Sequence, residues 1–177
     1  MSNDLKFKIS HKITEDNSSN FTIKPLDRGY GITVGNSLRR ALLTAVPGAA
    51  ITNVKIEGAH HEFSTIEGVT EDVADVIMNL KGVRFHLFES SVEPIFLKVK
   101  GPKAFTAANI QAASNDFTIL NPDHHITDIA KGTTLEVELR LGIGKGYKSS
   151  EENKLNNSPV GMIPIDSIFN PVTKVSF

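Results

Sequence analysis

The chain has 177 residues, with 19 Lys and Arg against 20 Asp and Glu, no Cys and no Trp. This length can bury a real core, while the near-neutral charge argues against a disordered charged tail and against a strongly basic nucleic-acid-binding domain. Without Cys there are no disulfides, thiolate metal sites or Cys nucleophiles, and without a signal core or a long apolar run we expect a cytoplasmic protein.

The first segment has the pattern of a β-hairpin. Apolar residues alternate with polar ones over residues 5–9 and again over 21–23, which is the period of a half-buried strand. Short polar residues that favour turns occupy positions 15–20 between them. Pro25 cannot donate to a strand ladder, so we expect it to end the second strand.

The next segment predicts a helix that ends before Pro47. Its apolar residues at helical spacing are Leu38, Ala41, Leu42 and Ala45. The start is open between two acceptable N-caps, Asn36 and the earlier Asp27. With the earlier start, one stripe of the helix holds Gly31, Gly35, Leu38 and Leu42. Because glycine costs a helix about 1 kcal/mol relative to Ala, the glycine pair indicates a face that packs closely on another backbone, in helix packing or self-association.

A kinked strand over residues 51–56 and a second amphipathic helix come next. The helix is predicted over residues 71–81, with Thr70 as its cap and Gly82 after its last turn. The apolar side chains that form its buried stripe are Val73, Val76, Ile77 and Leu80.

The rest of the chain is dominated by strand patterns. Strands are predicted over residues 83–88, 95–100, 117–120 and 133–141, and residues 163–168 and 172–177 are predicted as strands or extended segments. Residues 103–116 are weakly patterned, and residues 149–158 have the composition of an exposed loop. We therefore predict an α+β, strand-rich fold with two helices.

Two histidine clusters are candidate metal sites. His60, His61 and Glu62 are adjacent, and neighbours on a strand point to opposite faces, so the two imidazoles cannot easily share one ion. The second cluster, residues 123–125 with Asp128, comes after a proline and is interpreted as a solvated loop. We expect no metal at either place.

The glycine-rich segment at residues 142–147 resembles a phosphate cradle at first sight. Its spacing matches neither the P-loop nor the dinucleotide-binding fingerprint, and we interpret it as a tight strand exit with glycines at positive φ. No Gly-x-Ser-x-Gly elbow occurs in the sequence. We expect no catalytic residues and no cofactor.

Arg28, Arg39 and Arg40 are the only basic concentration. Two adjacent arginines on a helix are usually a solvated face, but beside an apolar stripe they equally suit the polar rim of a protein interface. Composition and pattern therefore favour a binding or assembly module over an enzyme.

Ordered sequence blocks spread over nearly the whole chain point to one family. The longest is residues 25–43, PLDRGYGITVGNSLRRALL. Shorter ones are PGAAIT at 47–52, HEFST at 61–65, EGV at 67–69, EDV at 71–73, NLKG at 79–82, GKGY at 144–147, PVG at 159–161 and NPV at 170–172. Together they closely resemble the N-terminal region of the alpha subunit of bacterial DNA-directed RNA polymerase.

The resemblance implies a discontinuous dimerisation subdomain with an inserted, mostly-β subdomain. Here the first would be residues 1–48 plus 160–177, and the insert residues 49–159. It further implies a homodimer that serves as the assembly platform for the beta and beta-prime subunits in transcription. Such a chain is a component of a nucleotidyltransferase complex with no active site of its own.

The resemblance also assigns surfaces. The glycine-bearing helix corresponds to the family's dimerisation helix, which implies dimer contacts by Gly31, Gly35, Leu38 and Leu42. The positions implied to contact the large subunits are Arg39, Arg40, His61, Glu62, Glu67 and Lys81.

The sequence departs from the family pattern in two places. Residues 151–157 are less acidic than the loop that transcription activators touch in some relatives, which leaves an activator contact in doubt. Family members also continue beyond the position of Phe177 with a second long helix, a linker and a DNA-binding domain. We therefore expect an incomplete dimerisation subdomain and no direct DNA binding by these residues. The alternatives are a self-contained dimeric binding module and an enzyme.

Overall fold

A computed structural model describes residues 7–14, 17–88 and 93–177. The chain divides into two compact units, one with residues up to Leu42 together with Val175–Phe177, and one with Leu43–Lys174. The helices are α1 (Tyr30–Thr44), α2 (Val73–Lys81) and α3 (Ala107–Gln111). The strands are β1 (Lys8–Thr14), β2 (Ser18–Lys24), β3 (Pro47–Ile56), β4 (Phe85–Leu87), β5 (Ile95–Lys100), β6 (Lys103–Thr106), β7 (Phe117–Ile119), β8 (His125–Ile129), β9 (Thr134–Lys145), β10 (Tyr147–Lys148), β11 (Met162–Pro164) and β12 (Ser167–Ile168). The predicted strand-rich α+β class is confirmed.

The first unit consists of a hairpin and most of α1. β1 and β2 pair antiparallel, with Lys8 opposite Lys24 at the open end, which confirms the predicted hairpin. Leu5 and the predicted turn residues Glu15 and Asp16 lie outside the described residues. The N–H of Tyr30 donates to the Asp27 carbonyl at 3.1 Å, so the helix has the earlier of its two candidate starts.

The second unit is built on a six-stranded sheet. Its order is β5-β9-β3-β4-β7, and β11 pairs with β3 on a side branch. The paired strands are antiparallel, and β5 alternates strictly between buried and exposed residues. A register shift between Ile51 and Asn53 is the kink predicted in β3. One face of this sheet forms the core of the unit, where Leu135, Val137 and Leu139 are buried.

Helix α2 packs its apolar stripe into the same core. Its buried residues are Val73, Val76, Ile77 and Leu80, as predicted. Its start differs from the prediction, because Asp72 is the N-cap and accepts from the Asp75 N–H at 2.9 Å. Thr70 does not cap the helix. Its N–H donates instead to the Asp128 carbonyl at 3.0 Å, as in strand pairing. Of the helices in the described ranges, none is long and apolar enough to cross a lipid bilayer.

The interpretation of residues 123–125 with Asp128 as a solvated loop is wrong. Residues His125–Ile129 form β8, which pairs antiparallel with β6. The ring Nε2 of His124 lies 2.8 Å from the Asn79 carbonyl of α2 and is half-buried. The alternation of apolar residues did not predict this strand, because Ile126 and Thr127 are adjacent and both fully buried. The weakly patterned segment before them forms β6 and α3.

The glycines at residues 142–147 serve packing within a strand. Gly142 and Gly144 lie inside β9 and pair with β3, so the predicted strand exit is wrong at these two positions. A Cβ on Gly144 would lie 2.7 Å from the Phe169 ring, closer than side chains normally approach. The position of the Phe169 ring therefore requires a glycine at residue 144. Of the three glycines here, Gly146 alone has a positive φ, 62°.

The predicted loop at residues 149–158 has a buried anchor. Asn153 is only 4% exposed, and its Nδ2 donates to the Ile165 carbonyl at 2.8 Å and to Ser167 Oγ at 2.9 Å. The Nδ2 of Asn53 on β3 donates to the Asn153 carbonyl at 3.1 Å. These bonds tie the middle of the loop to the sheet.

Candidate interaction surfaces

The predicted dimerisation residues share one face of α1. Gly31, Gly35, Leu38 and Leu42 are spaced by four, three and four residues, which places them on a common stripe. No residue of α1 is buried. Leu38 is 42% exposed, and Ile32, about a third of a turn around the helix from Leu38, is 69% exposed, so the helix presents apolar area to its surroundings.

The two glycines of this stripe have different surroundings. A Cβ on Gly35 would collide with the ring of Phe177, so within the unit this glycine already accommodates an aromatic side chain. A Cβ on Gly31 would meet nothing within 4 Å. Gly31 therefore leaves room for a close approach that the chain itself does not use.

The hairpin adds a second apolar face to the same unit. Ile9 lies opposite Ile23, and His11 lies opposite Phe21 with ring centroids 5.8 Å apart. Ile13 continues this face and is 72% exposed. Residues i and i+2 of a strand share a face, so these side chains form one continuous apolar surface.

The predicted large-subunit residues begin on α1. Arg39 and Arg40 come directly after Leu38 and both are exposed. At about 100° per residue Arg39 borders the apolar stripe, in the position of a polar rim, whereas Arg40 lies on the opposite side of α1.

A loop between β3 and α2 carries three further residues at its surface. His61 and Glu62 are exposed, and the adjacent Phe63 is 78% exposed. The loop is held in place at Ser64, whose carbonyl accepts from the Val73 N–H at 3.1 Å and whose Oγ lies 3.3 Å from His61 Nδ1. Phe63 thus projects from an anchored loop.

Glu67 and Lys81 complete the predicted set. Glu67 is exposed in the turn before α2. Lys81 ends the helix, and its Nζ lies 2.7 Å from Asp166 Oδ1 in a salt bridge. The hydrogen bond from Lys81 holds the pKa of the Asp166 carboxyl below its usual value. The loop anchored on Val73 and the Lys81 salt bridge mark opposite ends of α2, about 12 Å apart at a rise of about 1.5 Å per residue.

Sequence reasoning found the stripe and the charges but did not assign the exposed apolar residues that surround them. Ile13, Phe21 and Ile32 were absent from the predicted site, although alternation in the hairpin predicted an apolar face. Burial is a property of the packed chain, so periodicity could show that a face is apolar and could not show that it stays uncovered. In the described residues every buried side-chain nitrogen and oxygen has a hydrogen-bond partner, so no orphaned polar atom marks a ligand pocket there.

Comparison with known proteins identifies the family. Residues 54–170 match the family described as the RNA polymerase Rpb3/RpoA insert domain. A DNA-directed RNA polymerase subunit alpha from Salinibacter ruber is 51% identical over 92% of this chain and 49% of its own length. Subunits of the same name from Limosilactobacillus reuteri and Alkaliphilus oremlandii are each 48% identical, over 94% and 97% of this chain and 54% of their own lengths.

The chain spans about half the length of the curated relatives it matches. Both kinds of match cover most of its residues, and the identity is well above what a shared fold alone requires. The chain therefore belongs to the family of bacterial DNA-directed RNA polymerase alpha subunits.

Proposed function

We propose that this chain is an assembly platform of RNA polymerase: it forms a homodimer and binds the beta and beta-prime subunits. It supplies no catalytic residues, binds no cofactor and makes no direct DNA contact. The observation that carries the proposal is that no described residue is buried in the unit formed by residues up to Leu42 and Val175–Phe177. A lone hairpin and a single helix are marginal in water, so this unit needs another polypeptide surface to cover it.

We assign dimerisation and the insert to the two subdomains that the family resemblance implies. Residues 1–48 with 160–177 would form the dimerisation subdomain, and residues 49–159 the insert. The region proposed as the insert includes strands β5 and β9, helix α2 and all of β3 but its first two residues, with most of the residues of the buried core. That core supports an insert that keeps its shape while the other subdomain makes contacts.

The proposed dimer face is the α1 stripe together with the apolar hairpin face. Fully burying an exposed Ile, Leu or Phe contributes about 1.5–3 kcal/mol before the costs of association. Ile13, Phe21 and Ile32 are each more than 60% exposed, so a partner would remove a large apolar area from water. The open space at Gly31 would let a partner backbone approach the helix closely.

The proposed set of large-subunit contacts combines charged residues with one aromatic residue. Its predicted members are Arg39, Arg40, His61, Glu62, Glu67 and Lys81. Phe63 follows His61 and Glu62 in the same loop of the second unit, with 78% of its side chain exposed. Aromatic and Arg side chains are the residues that most often dominate protein interfaces, which suits this combination.

Self-association is tested by Leu38→Asp, which places a charge on the α1 stripe. We expect the mass of the unchanged chain by light scattering to rise with concentration, and that of the variant to stay at the monomer. Met78→Asp is the matched control, because Met78 is an exposed apolar residue on α2, 68% exposed. Equal behaviour of the two variants would remove α1 from the dimer face.

Binding of the beta subunit is tested by Arg40→Ala in a capture experiment with the tagged chain. We expect captured beta subunit to fall several-fold while the helix content by circular dichroism stays unchanged. Lys131→Ala, an exposed cation in the turn after β8, should capture as much as the unchanged chain. Full capture by Arg40→Ala with an intact helix would show that the interface lies elsewhere.

A further inference from the structure

Three metal-ligating side chains from two elements converge on the surface of the second unit. His125 Nε2 lies 3.1 Å from Glu71 Oε1 and 4.0 Å from Asp128 Oδ2. One ligand atom from each of the three residues lies within 4.8 Å of the others. None of these residues belongs to the surfaces of the proposed function, so a ligand at this cluster is independent of that function.

A bulge in β8 brings His125 and Asp128 to the same face. In a regular strand, residues three apart point to opposite faces. Here Thr106 of β6 pairs with His125 and Phe105 pairs with Thr127, so Ile126 is an extra residue on β8. Ile126 and Thr127 are consequently both buried, while His125 and Asp128 are both exposed. Bulges of this kind re-aim side chains and are frequent beside functional sites.

Glu71 reaches the same place because its segment runs along β8. The Ala130 N–H donates to the Gly68 carbonyl at 2.8 Å, and the Thr70 N–H donates to the Asp128 carbonyl at 3.0 Å. These bonds position the residue just before the N-cap of α2 against the bulge.

The Glu71 carboxylate is fixed by groups outside the ligand set. Its Oε2 accepts from Thr127 Oγ1 at 2.6 Å and from the Asp128 N–H at 3.1 Å. The other oxygen, Oε1, faces His125. A carboxylate oriented in this way through its second oxygen resembles the outer-shell support of metal ligands.

The two separations measured from His125 Nε2 are compatible with a single small cation. Zinc holds nitrogen and carboxylate oxygen at about 2.0–2.2 Å, so two of its ligand atoms lie about 3.4 Å apart in a tetrahedron and at most about 4.3 Å apart. The 3.1 Å and 4.0 Å separations bracket the tetrahedral value. We propose that Glu71, His125 and Asp128 bind a divalent transition-metal cation of the zinc class, with water completing the coordination. An imidazole with two carboxylates favours such ions over Mg²⁺.

The test is calorimetric titration of the whole chain with ZnCl₂, and separately with MgCl₂, in a buffer that does not bind metal. We expect one zinc site per chain and at least about tenfold weaker binding of Mg²⁺. His125→Gln and Asp128→Asn should each weaken zinc binding at least about tenfold, and both side chains are exposed enough for the variants to fold. Thr127→Val should weaken it about tenfold through Glu71 alone.

His60→Gln is the matched control, since His60 is an exposed histidine outside the cluster. It should bind zinc as the unchanged chain does, and the His125 ring signals in NMR spectra should shift on zinc addition. Three outcomes overturn the proposal: no zinc binding, loss of binding in His60→Gln with retention in His125→Gln, or unchanged binding in Asp128→Asn. Any of these would leave the cluster as a hydrogen-bonded triad that fastens α2 to β8.

Discussion

The two units of this chain use apolar residues in opposite ways. In Leu43–Lys174 the apolar side chains on one face of the sheet and of α2 pack on one another, and Phe105 is 0% exposed. In the unit up to Leu42 with Val175–Phe177 the same residue type stays outside, and Phe21 is 61% exposed. The comparison teaches that a similar apolar pattern can specify a core or a contact surface, depending on whether a second layer of the chain covers it.

The largest expected effect contrasts two phenylalanines. Phe105→Ala should lower the free energy of unfolding by about 3–5 kcal/mol, because it removes a fully buried ring and leaves a cavity. Phe21→Ala should change it by no more than about 0.5 kcal/mol, since its ring is mostly in water. Urea unfolding followed by circular dichroism measures both. A loss at Phe21 equal to that at Phe105 would mean that the hairpin is covered within one chain.

An intermediate effect contrasts two glycines. Gly144→Ala would set its methyl 2.7 Å from the Phe169 ring, and overpacking of this kind costs about 1–3 kcal/mol of unfolding free energy. Gly31→Ala has open space and should strengthen α1 by up to about 1 kcal/mol through helix propensity. Urea unfolding measures the first change and amide hydrogen exchange in α1 the second. If both substitutions stabilised the protein, or both destabilised it, the result would contradict the proposed difference in packing between the two units.

The smallest expected effect concerns an ion pair in the second unit. Asp166→Asn removes the partner of Lys81 and should cost no more than about 1 kcal/mol at neutral pH, because both side chains are about a third exposed. The folded-state pKa of Asp166 is lowered, so the stabilisation is present above its unfolded pKa and is lost as the pH falls through the folded value.

Unfolding curves of Asp166→Asn and the unchanged chain should therefore converge below about pH 4. Curves that stay parallel down to pH 2 would show that the carboxylate charge contributes nothing. A loss of about 3–5 kcal/mol for Phe105→Ala against at most about 1 kcal/mol for Asp166→Asn would show that burial contributes more than a surface ion pair to the stability of the second unit.

Regular elements were predictable from the sequence, and irregular ones were not. The stripe of α2 and the bounds of β5 were predicted correctly, because each element repeats its period without interruption. Strand β8 was missed because its bulge buries two neighbours, Ile126 and Thr127, and breaks the alternation that marks a strand.

The candidate surfaces were predictable only in part. The assignment of the charged residues on α1 and in the loop before α2 to large-subunit contacts came from family resemblance, and these roles stay predictions. The contact between Glu71 and His125 could not be predicted from the sequence, since 54 residues separate them and long-range bonds, such as that between Thr70 and Asp128, bring them together. Long-range pairing of that kind is set by the whole fold and not by a local period.

The buried anchor at Asn153 has a practical consequence for protein engineering. Side chains on the far side of the anchor, from Lys154 to Val160, are exposed, and Val160 is 93% exposed. Because the bonds of Asn153 fix the base of the loop to the sheet, this far side can accept an inserted epitope or a dye-labelling peptide without loosening β3. A probe placed there would report on the subunit in a large complex while the core beneath keeps its register.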